Sequence, residues 1–161
     1  MAEPFSVDVK GMKETQAKVE QTVRDIRGTP MLNAFRSATL LVQRDAKRLS
    51  PVDSGRLRAS IMPEVRTEGN NIMGVVGSKV IYAPYMEFGT GTPAGNSPHV
   101  PPMSVLGVWA ARHGMSTYSV WLAIVMRGGL RPRRYLQQAF EQNESKIIGL
   151  IEDAADRIVK K

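Results

Sequence analysis

Apolar positions recur along this chain at one of two periods, and the switches between periods divide it into elements. Phe5, Val7 and Val9 alternate with Ser6 and Asp8, the period of a half-buried strand, and so short a run predicts a strand added to a sheet edge. After Gly11, the residues Met12, Val19, Val23 and Ile26 fall at helical spacing among Lys13, Glu14, Lys18, Glu20 and Arg24, until Gly28 and Pro30 interrupt. A second helix is predicted from Met31 to Leu49. Its apolar set of Met31, Ala34, Phe35, Ala38, Leu41, Val42, Ala46 and Leu49 steps by three and four, with Arg36, Arg44, Asp45, Lys47 and Arg48 on the other face. Pro51 ends it, because proline disfavours helix in the residue before it and lacks the amide that the ladder needs.

Beyond Pro51, Asp53 or Ser54 is placed to cap a short turn, and Gly55 is expected where the backbone comes close to another segment. Ile61–Thr67 and Ile72–Tyr82 read as strands joined by the hairpin turn Glu68-Gly69-Asn70-Asn71, with Pro63 confining the first to an edge or a bulge. The loop from Gly91 to Pro102 is rich in glycine and proline and is expected to be mobile or ordered only by a partner. Met103–Arg112 and Thr117–Met126 predict two short helices around His113-Gly114, a helical hairpin or swinging arm. Gly128-Gly129 ends the arm. Arg131-Pro132 then opens a last helix carrying Leu136, Ala139, Phe140, Ile147, Ile148, Ile151, Ala155 and Ile158. The expected fold class is α+β: N-terminal helices, a small antiparallel sheet with a β-hairpin, a helical hairpin insertion and a C-terminal helix. It is expected to form one domain over residues 1–161, with 91–130 inserted as loop and arm.

The densest stretch is Tyr82 to Thr90, Tyr-Ala-Pro-Tyr-Met-Glu-Phe-Gly-Thr. Each of Tyr82, Tyr85 and Phe88 can remove about 150 to 250 Å² from water, which predicts a fixed joint closed inside the subunit or against a neighbour. A carboxylate in such surroundings needs a partner, so Glu87 is expected to accept from Arg56, Arg58 or backbone amides.

Composition narrows the function classes. No run of 18 apolar residues exists, and the first residues lack a basic region followed by an apolar one, so neither a membrane span nor a secretory signal is expected and synthesis is assigned to the cytoplasm. The absence of cysteine removes disulfides, thiolate catalysis and thiolate metal sites. Net charge is +7, and residues 91–134 hold Arg112, Arg127, Arg131, Arg133 and Arg134 with no acidic residue. These five would face an acidic partner surface or non-specifically contact passing DNA, or form a solvated face. Trp109 and Trp121 lie among aliphatic residues and read as arm core or interface anchors. His99 and His113 lack a carboxylate nearby in sequence and make a poor metal site. The glycines around Thr90 lack the lysine and hydroxyl residue of a phosphate loop. Asp53 and Glu87 fit capping and pairing better than an acid and base pair. No catalytic, cofactor-binding or metal-binding residue is therefore expected.

Three blocks carry a resemblance. They are Ala46-Lys47 through Pro51-Val52-Asp53-Ser54-Gly55-Arg56-Leu57-Arg58-Ala59-Ser60-Ile61, then Tyr82 to Thr90, then Arg131-Pro132-Arg133-Arg134-Tyr135-Leu136-Gln137-Gln138-Ala139-Phe140. In order and spacing the chain resembles the tail-completion or head-tail joining (neck) proteins of tailed double-stranded-DNA bacteriophages, the family named after gene product ten of a lambdoid phage. Ser54 stands where that family usually has threonine, Tyr135 where it has phenylalanine and Gln138 where proline is frequent, and Met103–Arg127 reads as an insertion. The resemblance implies a non-catalytic virion subunit of a ring, commonly of six, between portal and tail, with other neck, tail-terminator or tail-tube proteins as neighbours and no membrane. It implies that Tyr82, Tyr85, Glu87, Phe88, Gly89 and Thr90 form the assembly joint, with Asp53, Gly55 and Arg56 holding the turn against it. The alternatives are a tail terminator, a non-specific DNA-binding packaging accessory protein, or an enzyme built on Asp53 and Glu87.

Overall fold

The computed structural model describes residues 12–26, 28–69 and 71–160, so the strand expected at Phe5–Val9 lies outside the described residues. In chain order the elements are α1 (Met12–Ile26), α2 (Thr29–Leu49), α3 (Arg56–Ser60), β1 (Ile61–Glu68), β2 (Asn71–Ser78), α4 (Ala83–Phe88), α5 (Gly107–Arg112), α6 (Thr117–Met126) and α7 (Tyr135–Val159). Short 3-10 turns lie at Thr92–Ala94 and Met103–Val105. β1 and β2 form a two-stranded sheet, giving the expected mixture of helices with one hairpin and a C-terminal helix. Several boundaries differ from the expectation: Met103–Arg112 is a 3-10 turn followed by α5 from Gly107, and α7 starts at Tyr135 rather than at Arg131-Pro132. β2 stops at Ser78, where the Ser78 hydroxyl accepts from the Val80 amide at 3.1 Å and turns the chain. Lys79–Tyr82 therefore leaves the strand, and Tyr82–Phe88, which carried no helical period, winds into α4 with Pro84 in its first turn.

The chain divides into two compact units, each assembled from separated segments. The first takes its described residues from Met1–Thr39, Glu64–Val75 and Ser145–Lys161. Its core is Met31, Ala34, Ala154 and Ile158, with Phe35, Ile72, Ile151 and Ala155 packed against them, so α2 and α7 meet on the stripes their periodicity defines. β2 lies close to α2. A Cβ built on Gly74 would stand 2.7 Å from the Thr39 methyl and 3.4 Å from the Phe35 ring, so this position needs glycine for its small size.

The second unit takes Leu40–Pro63 and Val76–Glu144. Val42, Ala46, Leu57, Ile61, Ala83, Tyr135 and Ala139 are among its buried residues, and Ala110, Val120 and Ile124 with Leu106 and Leu130 form the core of the arm. A polar contact runs through it: the buried Asn143 amide donates to the Asp45 carboxylate at 2.8 Å and to the Ala139 carbonyl at 2.8 Å. The Arg44 side chain beside Asp45, then Asn143 and Arg48, hold that carboxyl down at about 2. The Asn143 Oδ1 is buried without a hydrogen-bond partner.

Gly74→Ala is expected to destabilise the protein by about 1 to 3 kcal/mol in urea unfolding, because a stiff β-branched Thr39 side chain must move to admit the methyl group. Because the Asp45 carboxyl sits below its usual value of 3.8, its charged form favours the folded state; that contribution is complete above about pH 4 and disappears as pH falls towards about 2. The stability gap between wild type and Asp45→Asn, measured by urea unfolding at a series of pH values, is therefore expected to shrink through that window.

Candidate functional site

α4 is six residues long and is anchored by its least helix-like feature, a buried carboxylate. Glu87 is 4% exposed. Its Oε2 accepts from the Leu136 amide at 2.9 Å and its Oε1 from the Gln137 amide at 3.0 Å. Those amides belong to the second and third residues of α7, the donors that a helix leaves without an internal partner and that an N-cap side chain normally satisfies. Here the preceding residue is Arg134, at φ 50, which has no side-chain acceptor to offer. Glu87 thus supplies the cap from a distant segment, and its charge faces the positive end of a 25-residue helix. The sequence left Arg56, Arg58 and backbone amides open as partners; the amides take both oxygens and the arginines remain exposed.

The main chain around Glu87 is fixed to the same partner segment. The Met86 carbonyl accepts from the Arg133 amide at 2.9 Å and the Glu87 carbonyl from the Arg134 amide at 3.0 Å. Thr90 donates its amide to the Leu130 carbonyl at 2.9 Å and accepts from the Leu130 amide on its hydroxyl at 3.0 Å. The Gly128 carbonyl accepts from the amides of Thr92 at 3.1 Å and His99 at 2.9 Å. Gly89 makes this approach possible: at φ 73, a Cβ there would fall 2.6 Å from the Leu130 carbonyl oxygen. Gly91 crosses Gly128 and Gly129 crosses Thr90 at still closer range. The Gly91–Pro102 loop, expected to be mobile or ordered only by a partner, thus has hydrogen bonds to its own chain, and the Pro101 carbonyl also accepts from the Trp121 indole at 3.0 Å.

Burial at this joint is the reverse of what residue type alone suggests. Ala83 and Glu87 are inside, while Tyr82, Tyr85 and Phe88 are exposed, Phe88 by 70%, beside Ile81 at 88%. The ring buried against the joint is Tyr135, whose spacing gave no warning. Burial, then the charge of Glu87 and the nearby Tyr82, push its phenol up to about 12, and its hydroxyl has no hydrogen-bond partner.

Asp53 has a different task from the one its position suggests. Gly55, in the left-handed region at φ 79, caps α3 without any side-chain hydrogen bond and has open space where its Cβ would be, so backbone conformation rather than close approach requires glycine there. Asp53 instead lies 3.5 Å from Arg112 Nη1 and 3.5 Å from His113 Nε2, fastening the end of α5 to the turn after α2. His113 stacks on Trp109 with centroids 4.1 Å apart, and its Nδ1 is 2.9 Å from the Trp109 carbonyl. His113 therefore does have a carboxylate beside it, brought from sixty residues away in sequence. Arg56 is exposed and has no ion pair among the described residues; the same holds for the side chains of Arg127, Arg131, Arg133 and Arg134. Trp109 is partly exposed and Trp121 half-buried. Asp53 and Glu87 are each engaged with separate partners, and among the described residues no group of three or more histidine, cysteine, aspartate or glutamate side chains is arranged to hold a metal.

The turn after α2, the hairpin and the Glu87-bearing helix lie in the first part of the chain, which is also where a family comparison matches. The family model described as "Bacteriophage HK97-gp10, putative tail-component" matches residues 9–89, half of the chain. The chain belongs to this HK97-gp10-like family of phage tail components. No curated protein and no solved structure matches it. Its class is accordingly that of a structural tail component of a bacteriophage. No described helix is long and apolar enough to cross a membrane. The match ends at Gly89, so the loop, the arm and α7 lie beyond it, and Glu87, Asp53 and Asp45 are matched residues that bind that remainder.

Glu87→Ala is expected to lower stability by about 2 kcal/mol in thermal or urea unfolding, since two helix amides lose their buried acceptor. Tyr135→Phe is expected to leave stability unchanged or raise it slightly in the same assay, because the hydroxyl it removes is buried and unpaired.

Proposed function

We propose that this tail component is a ring-forming subunit at the head-tail interface or the top of the tail, through which DNA passes. The observation that carries the reading is the exposed apolar row of Ile81, Tyr82, Tyr85 and Phe88, mounted on the most tightly hydrogen-bonded joint of the second unit. Aromatic residues at this density on a fixed support are characteristic of interface cores rather than of free surface. Tyr85 and Phe88, three residues apart on α4, lie away from its buried Ala83 and Glu87, and Ile81 and Tyr82 precede them in the turn before the helix. Further apolar surface on the arm, at Val105, Val108, Met115, Tyr118 and Met126, is what a neighbouring subunit or partner ring would cover. The unpaired arginines at 127, 131, 133 and 134 supply the positive face that a passing duplex would meet without sequence preference.

The test is the assembly state of the full chain and of Tyr85→Asp/Phe88→Asp, measured by light scattering after size exclusion and by negative-stain microscopy. Rings are expected from the full chain. The double variant is expected to give monomers with unchanged unfolding, since both side chains are already exposed. A wild-type chain that stays monomeric at high concentration, while binding duplex DNA with a steep salt dependence, would replace this reading with that of a packaging accessory protein.

A further inference from the structure

α6 is a helix without a single charge, Thr-Tyr-Ser-Val-Trp-Leu-Ala-Ile-Val-Met, and its own subunit covers only part of it. Val120 and Ile124 are buried in the arm core with Ala110. Tyr118, Leu122 and Met126, each four residues after the last and so aligned along the opposite face, are exposed, Met126 by 79%. A helix apolar all round is ordinarily a buried one. The exposed stripe is also held in place: the Tyr118 ring stacks on Trp121 with centroids 6.0 Å apart, and the Trp121 indole donates to the Pro101 carbonyl. It runs out at Arg127, whose exposed side chain has no ion pair among the described residues.

α7 opens with a surface of the complementary kind. Gln137, Phe140, Glu141 and Glu144 fall at i, i+3, i+4 and i+7 and are all exposed, so they share one face of the helix. Phe140 leaves half of its ring in water, and neither Glu141 nor Glu144 has an ion pair among the described residues. Charge divides sharply between the two surfaces: residues 91–134 hold five arginines and no acid, whereas Tyr135–Glu144 holds these two glutamates and no base. Both surfaces belong to the second unit, which therefore carries the two halves of a contact that no ion pair closes within the chain.

We propose that the exposed α6 face of one copy docks on the first turns of α7 of the next, with Tyr118, Leu122 and Met126 against Phe140 and Arg127 facing Glu141 and Glu144. A second copy fits this surface better than DNA does, because an apolar stripe gains nothing from phosphates and the acidic half would repel them. Burial of the apolar side chains supplies the attraction, and charge sets the pairing. Arm against arm would oppose Arg127 to Arg127, and α7 against α7 would oppose glutamates to glutamates, so arm against α7 is the favoured contact. Such a contact is head-to-tail and can close a ring. The inference rests on the ring reading above and names the two surfaces that join its subunits; it assigns Arg127 to the neighbour and leaves Arg131, Arg133 and Arg134 to the duplex.

Arg127→Glu and Glu141→Arg/Glu144→Arg, each in the full chain, are compared with wild type by light scattering after size exclusion at low ionic strength, where charges are least screened. Wild type is expected to elute as rings and each charge variant as monomers or short oligomers, with thermal unfolding little changed because all three side chains are exposed. The two variants mixed in equal amounts are expected to co-assemble, since every contact between unlike copies again pairs opposite charges. A chain carrying all three reversals is expected to form rings by itself. Rings from both charge variants alone would overturn this contact and leave the ring reading standing. Loss of assembly that neither mixing nor the triple reversal restores would overturn it too, because charge pairing between copies would not then be the cause. A wild-type chain that stays monomeric would overturn both this contact and the ring.

Discussion

A single carboxylate caps the start of the last helix of this chain. α7 begins at Tyr135 with amides that nothing on its own preceding turn can satisfy, because Arg134 offers no acceptor and sits at a positive φ. Glu87 fills that deficit with both oxygens, and its main-chain carbonyl takes the Arg134 amide as well. Leaving two such donors without an acceptor would cost about 2 kcal/mol, a sizeable share of the stability of an ordinary domain. The start of α7 in turn fixes where Ala139 and Asn143 stand in the second unit, and Asn143 ties the helix to Asp45 on α2.

The glycines complete what the carboxylate begins. Gly89, Gly91, Gly128 and Gly129 let two stretches of backbone run past each other closer than any Cβ would permit, and the hydrogen bonds of Thr90, Thr92 and His99 follow from that approach. With backbone and Glu87 satisfying each other on the inner side of α4, its aromatic side chains are left outward. The joint is therefore rigid on one face and apolar on the other. The proposed ring contact would use that combination as a docking surface presented without loss of conformational freedom.

Local period and punctuation made most elements legible. α2 carries its stripe for five turns and stops at Pro51, α6 matches Thr117–Met126 residue for residue, and the hairpin follows its turn chemistry. What was not legible depends on pairs distant in sequence. Nothing local to Asp53 points to Arg112 and His113, nothing near Glu87 names Leu136 and Gln137, and Gly128-Gly129 reads as a helix stop until its crossing with Thr90 and Gly91 is seen. The aromatic segment misled for a physical reason. Ring area argues for burial, but a charged group with two helix amides to satisfy gains more from the interior position than rings that a neighbour can cover.

Membership of the HK97-gp10-like tail-component family accounts for residues 9–89, and Glu87 is where that part takes hold of the start of the final helix. The central claim is that this carboxylate, and no other group, caps α7. Residue-resolved hydrogen exchange of the Leu136 and Gln137 amides tests it most directly, in the native chain and in Glu87→Ala. Protection comparable to the helix interior, lost at those two amides in the variant before it is lost elsewhere in α7, is the predicted result; exchange in the native chain at the rate of an uncapped helix terminus would contradict the account.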